Sequence, residues 1–223
     1  MRAWQTATLI YFVYAAATAY AMPQIAAARR RRALILAACG IGCLILTTRL
    51  AAGTFLTTWV LPPALLLLAY WTSGSLFVAP MAAPERTLMS FDRRIGIGRI
   101  AAGLPRPVAE FLEIAYVFVY PLIPIALGLH VLFSDRPDTD RFWMVILTTD
   151  YLCFGMLPWI QTRPPRVLEG RDPWHASFRH LNRRLLDRAS IHVNTMPSGH
   201  AAEAVAACDD QQHHPHTSTR PDN

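Results

Sequence analysis

Five runs of predominantly apolar residues, each about as long as a bilayer-crossing helix, set the limits on what this chain can fold into. They cover approximately Thr6 to Ala28, Ala33 to Ala52, Phe55 to Ala79, Val108 to Phe133 and Phe142 to Ile160. In hydrocarbon a backbone must satisfy its own polar groups, and runs of this length do so as helices. Hydrophobic residues make up 53% of the 223 and charged residues only 16%, outside the balance of soluble domains. The expected fold is therefore all-α, a polytopic transmembrane helix bundle of about five spans. Pro62-Pro63 and the pair Pro121 and Pro124 fall inside spans, where they kink a helix without ending it, because neighbouring helices can satisfy the freed carbonyls. The first run is flanked by Arg29 to Arg32 and not by a small-residue cleavage site, so it reads as a retained span.

All 21 cationic side chains are arginine, and the net charge is +6. With five spans, Arg29 to Arg32, the Arg86 to Arg106 loop and the Arg163 to Arg188 loop share one side, while Arg2, Arg49, Arg136 and Arg141 take the other. The charge is thus distributed as a membrane protein distributes it, and nothing marks a nucleic-acid partner. The bilayer itself is the expected partner. A composition rich in Ala, Arg and Pro points to GC-rich coding, hence to a bacterial cell membrane as the expected location. The stretch from Pro80 to Pro107 mixes arginines with Leu, Phe and Ile and is expected to lie along the headgroups. Three regions follow: N-terminal spans and interfacial loop (1–141), a chemical core (142–207) and a polar tail (208–223). The four cysteines show no metal spacing or disulfide framework; His213, His214 and His216 could bind a metal, but such a tail cluster is more often adventitious, and no cofactor is expected.

Two motifs in the core carry chemistry. Pro197-Ser198-Gly199-His200 precedes an apolar helical start, so free backbone N–H groups and the Ser198 hydroxyl can face an anion. His200 beside that anion could protonate a leaving alkoxide. A plain helix cap with an incidental histidine is the structural alternative. Just past the fifth run, Arg163-Pro164-Pro165-Arg166 holds two guanidinium forks on a stiff backbone, suited to bidentate phosphate contacts. An arginine anchor at the headgroups is the alternative there. Asp150 lies within an apolar run and is expected to face the bundle, whereas Glu110 and Glu113, at a run's end, are expected at the solvated interface.

Together these motifs resemble the phosphatidic acid phosphatase type 2 superfamily, and more closely its inositolphosphotransferase branch, which includes inositol phosphorylceramide synthases. The resemblance covers roughly Phe142 to Ala207. Arg163-Pro164 matches the end of the family's first motif, and Pro197 to His200 match its second. It implies that Arg163 binds phosphate, that Ser198 and Gly199 cradle it, that His200 is the catalytic proton donor, and that a phosphate-bearing lipid is hydrolysed or serves as a transfer donor without metal. Arg166 joins the phosphate-binding set by proximity.

Two features depart from the family pattern. Met156 stands where the superfamily's first motif has lysine, and the 23 residues after His200 hold no counterpart of the third motif, with its arginine, nucleophilic histidine and aspartate. Ala201 to Ala207 read as the start of an interrupted, truncated sixth span, and a covalent two-step transfer would lack its nucleophile. Phosphate binding without turnover is the resulting expectation. A non-catalytic membrane protein that at most binds anionic headgroups is the alternative.

Overall fold

The computed structural model describes residues 1–51, 53–164, 178–191, 193, 198–202 and 204–205. Among these, all regular structure is helical. The elements are α1 (Ala3–Ala21), α2 (Ala27–Arg49), a π-helical turn (Leu56–Val60) running into α3 (Leu61–Ser75), α4 (Ala82–Ile95), α5 (Ile97–Ala102), α6 (Arg106–Phe133), α7 (Thr139–Met156) and α8 (Phe178–Ala189). The five apolar runs thus become α1, α2, the π turn with α3, α6 and α7. By length and composition α2 is apolar enough to cross a membrane, and α6 is a second such element if its two bent arms count as one span.

The prolines act as their chemistry requires. Pro62 has no N–H to give the carbonyl of Thr58, and that carbonyl instead accepts the Trp143 indole Nε1–H from α7 at 2.8 Å. In α6, where Pro121 and Pro124 each remove a helical hydrogen bond, the Arg106–Val119 and Pro121–Phe133 arms meet at 67°. Gly96, at φ 75°, closes α4 in the left-handed conformation, donating its N–H to the Asp92 carbonyl at 2.9 Å before α5 begins.

Specific contacts fix the directions of the helices. Trp4 Nε1 donates to Asp140 at 3.0 Å and the Tyr14 hydroxyl donates to the Gly155 carbonyl at 2.6 Å, so α1 and α7 run parallel. Gln5 reaches Thr47 at 2.9 Å, which makes α2 antiparallel to α1. Arg29 donates to the Phe77 carbonyl at 2.7 Å, so α3 runs against α2. The C-terminal ends of α1, α3 and α7 and the N-terminal end of α2 consequently lie at one end of the bundle. The core between them is built from Trp4, Tyr11, Phe12 and Ala15 of α1, Leu65 and Ala69 of α3, and Phe142, Trp143, Ile146, Leu147 and Phe154 of α7. On α2 the buried positions are Ala33, Ala37 and Gly40, followed by Leu44 and Thr47. Small residues at one-turn spacing let α1 come close.

At Gly40 this approach is tightest: a Cβ there would run into the fully buried Phe12 ring. Gly40→Val should therefore destabilise the α1–α2 pair by about 1–3 kcal/mol, the usual cost of overpacking. Thermal unfolding in detergent measures this. Gly42→Val on the same helix has open space around its Cβ and serves as the control, with little overpacking cost.

Candidate functional site

Arg163 lies at the arginine-rich end of the bundle, just beyond α7. Gln161, buried just beyond α7, ties its connector to the chain leaving α3. Its Oε1 accepts from the backbone N–H groups of Val78 (2.7 Å) and Ala79 (3.0 Å), and its carbonyl accepts from Met81 N at 2.7 Å. Its side-chain amide donates to the Pro158 carbonyl at 2.9 Å. One side chain thus satisfies two backbone donors of a segment that has no helix to serve them.

This latch delivers Arg163 to Glu85 in the first turn of α4. Arg163 donates to Glu85 Oε1 from its backbone N (2.9 Å) and from Nε (3.0 Å), and to Oε2 from one Nη2 hydrogen (2.9 Å). The contact is a two-pronged, charge-assisted pair. Glu85 is buried, whereas the Arg163 side chain is 44% exposed. Of the five guanidinium N–H groups, the pair uses two, one on Nε and one on Nη2. The Nη1–Nη2 edge has no hydrogen-bond acceptor among the described residues. The side-chain hydrogen bond from Arg163 holds the Glu85 carboxyl below its ordinary pKa against the opposing pull of burial. The same contact raises the pKa of the guanidinium.

Ser198, Gly199 and His200 form the beginning of a helical segment lodged between α6 and α7. The Ser198 carbonyl accepts from Ala202 N at 3.1 Å and its hydroxyl lies 3.5 Å from Ala201 N, the arrangement of an N-cap. Gly199 is buried against α7: a Cβ on it would meet Asp150 Oδ1 at 3.0 Å and Phe154 Cε1 at 3.5 Å. The His200 ring, half-buried, stands edge-on to Tyr116 of α6, with centroids 6.2 Å apart. Upstream, Ile191 packs against Gly74 of α3 and donates its N–H to the Tyr70 hydroxyl at 3.1 Å.

The Ser198–His200 segment meets α7 at Asp150 and Phe154, within its last two turns, whereas Arg163 lies beyond the end of α7 and spends its hydrogen bonds among the described residues on Glu85. Arg166 and Pro197 lie outside the described residues, as do His213, His214 and His216. Asp150 faces inward as its sequence context implied and is fully buried. Glu113 departs from the solvated interface expected for it. It is 6% exposed, pairs with Arg179 of α8 at 2.8 Å and accepts from the Asn182 side-chain amide, because α8 packs across the first arm of α6. Among the described residues no group of three or more His, Cys, Asp and Glu side chains is placed to hold a metal ion.

Sequence reasoning missed Glu85 and Gln161. A signal for Glu85 did exist: with Asp92 it is one of only two carboxylates in a stretch rich in arginine and apolar residues. Gln161 carried none, because its role lies in a backbone segment more than 80 positions away.

Comparison of the chain with family models, with curated proteins and with solved structures returns no match.

Gln161→Ala should remove the shared acceptor of the half-buried Val78 and exposed Ala79 amides, at a cost of about 1 kcal/mol for each lost hydrogen bond. The check is the melting temperature together with hydrogen exchange at those two amides. The Glu85 contact should also be acid-labile. Because the folded-state pKa of Glu85 is lowered, its contribution is complete above the ordinary carboxylate range and disappears as pH falls through the lowered value. The exchange protection factor of the Arg163 amide should drop over that acidic window in the wild type, with no such step in Glu85→Gln.

Proposed function

We propose that this chain is an integral membrane protein that crosses the bilayer about five times and binds a lipid-linked phosphate ester at its arginine-rich end. In this reading it is a relative of the phosphatidic acid phosphatase type 2 superfamily and its inositolphosphotransferase branch. The distribution of side chains supports the membrane part. Outward positions are apolar on every long helix, with Ile10 and Val13 on α1, Ile35 and Ile45 on α2, Leu67 on α3, Phe118 on α6 and Leu152 on α7 all exposed. Inward positions include Gln5, Thr8, Thr47, Thr72, Glu113 and Asp150. Polar groups facing the bundle and apolar groups facing out is the arrangement that hydrocarbon solvent favours.

The observation that carries the phosphate part is the outward Nη1–Nη2 edge of Arg163, held at that end of the bundle just beyond α7. An arginine fork is complementary to two phosphate oxygens, and in this reading the Ser198–His200 segment supplies further donors. Arg163 is the principal phosphate ligand in this reading, with Arg166, Ser198 and Gly199 as partners and His200 as the proton donor of any turnover. No counterpart of the family's third motif occurs in the 223 residues, so binding is the activity proposed for them.

A second reading, a non-catalytic membrane protein in which Arg163 only locks its connector, draws on the Glu85 pair. Short-chain phosphatidic acid and the purified chain in detergent micelles separate the two. Saturable binding should weaken about tenfold or more in Arg163→Ala, the usual worth of a hydrogen bond to a charged group. Phosphate release should stay at background. Unchanged binding in Arg163→Ala would leave the second reading standing, whereas robust release abolished by His200→Ala would mean a working enzyme.

A further inference from the structure

The pairing of Glu85 with Arg163 admits two opposite roles at a phosphate site. Glu85 could be a placeholder that phosphate must expel, or the brace that aims the arginine. Its burial decides between them. Glu85 is 7% exposed and makes three hydrogen bonds to a single residue, one of them to backbone. Expelling it would leave a buried carboxylate unpaired and an amide unsatisfied, a cost that one arginine–phosphate contact does not recover. Phosphate therefore has to approach the edge that Glu85 leaves open.

We propose that Glu85 is a positioning residue for the phosphate site: it grips the Nε–Nη2 edge and the backbone of Arg163, so that the Nη1–Nη2 edge is presented, already oriented, to two oxygens of a phosphate monoester. This rests on the reading that Arg163 receives phosphate. It extends that reading by giving α4 a part in the site and by naming the ligand geometry, end-on and two-pronged. A fixed fork loses less freedom on binding than a loose one, which offsets the repulsion a neighbouring carboxylate exerts on the anion. Glu85 touches no ligand itself and acts only through Arg163.

The test uses the full chain in detergent micelles, with inorganic phosphate and short-chain phosphatidic acid as separate probes. Phosphatidic acid binding without phosphate binding would identify the lipid as the source of the headgroup. Glu85→Gln keeps the size but breaks the charged two-pronged grip, and should weaken binding about tenfold, with Glu85→Asp recovering part of the loss. A readout indifferent to a purely structural role comes from rescue. In Arg163→Ala, added ethylguanidinium should settle on the Glu85 carboxylate and restore binding, while ethylammonium, which has no planar fork, should not. Rescue should be absent in the Arg163→Ala/Glu85→Gln double variant.

If Glu85→Gln binds as tightly as the wild type or more tightly while Arg163→Ala is weakened, the brace is wrong and the parent reading survives. If Arg163→Ala binds normally, the parent reading itself fails. Should Glu85→Gln not fold, the guanidinium and ammonium arms on Arg163→Ala still decide, since equal rescue by both, or by neither, overturns the proposal.

Discussion

Where the chain leaves its helices inside this bundle, each buried backbone polar group must find a partner within the protein. Much of the architecture is a set of answers to that constraint. The Thr58 carbonyl, abandoned by Pro62, is served by Trp143. The amides of Val78 and Ala79, beyond the end of α3, are served by Gln161. The Arg163 amide is served by Glu85. Each answer joins segments distant in sequence, so satisfying the backbone and assembling the tertiary structure are one event here.

Where the chain is helical was written in its pattern. Apolar runs of bilayer length mark α1, α2, α3, α6 and α7, because length and hydropathy are local properties, although the first run overshoots the end of α1 by seven residues and the second starts six residues inside α2. The prolines were equally legible as kinks, since a missing N–H disturbs its own helix whatever the neighbours do. Glycine spacing on α2 could be seen too, but not that Gly40 is the place where Phe12 enters, which depends on how α1 is rotated about its axis.

The candidate site was legible only in its letters. Arg163 and Pro197 to His200 stand out as motifs. What each touches was not readable. Glu85 sits 78 residues before Arg163, and Glu113 lies 66 before Arg179. A carboxylate near the end of an apolar run looks the same in sequence whether it meets water or a buried arginine. The difference is set by α8 crossing α6, and no periodicity announces that crossing. Gly199 shows the same limit from the other side. The motif suggests a phosphate cradle, while its contact with Asp150 and Phe154 adds a packing reason for the absence of a side chain.

The bend in α6 ties these observations together mechanically. Its first arm, Arg106–Val119, carries both Glu113, which grips α8, and Tyr116, which backs His200. Fourteen helical residues make a rigid rod about 21 Å long, pivoting where Pro121 has weakened the ladder. A change of about 10° at such a pivot carries the far tip by about 4 Å. A displacement of this rod would thus be felt at α8 and His200 together, as a crank transmits one push to two loads.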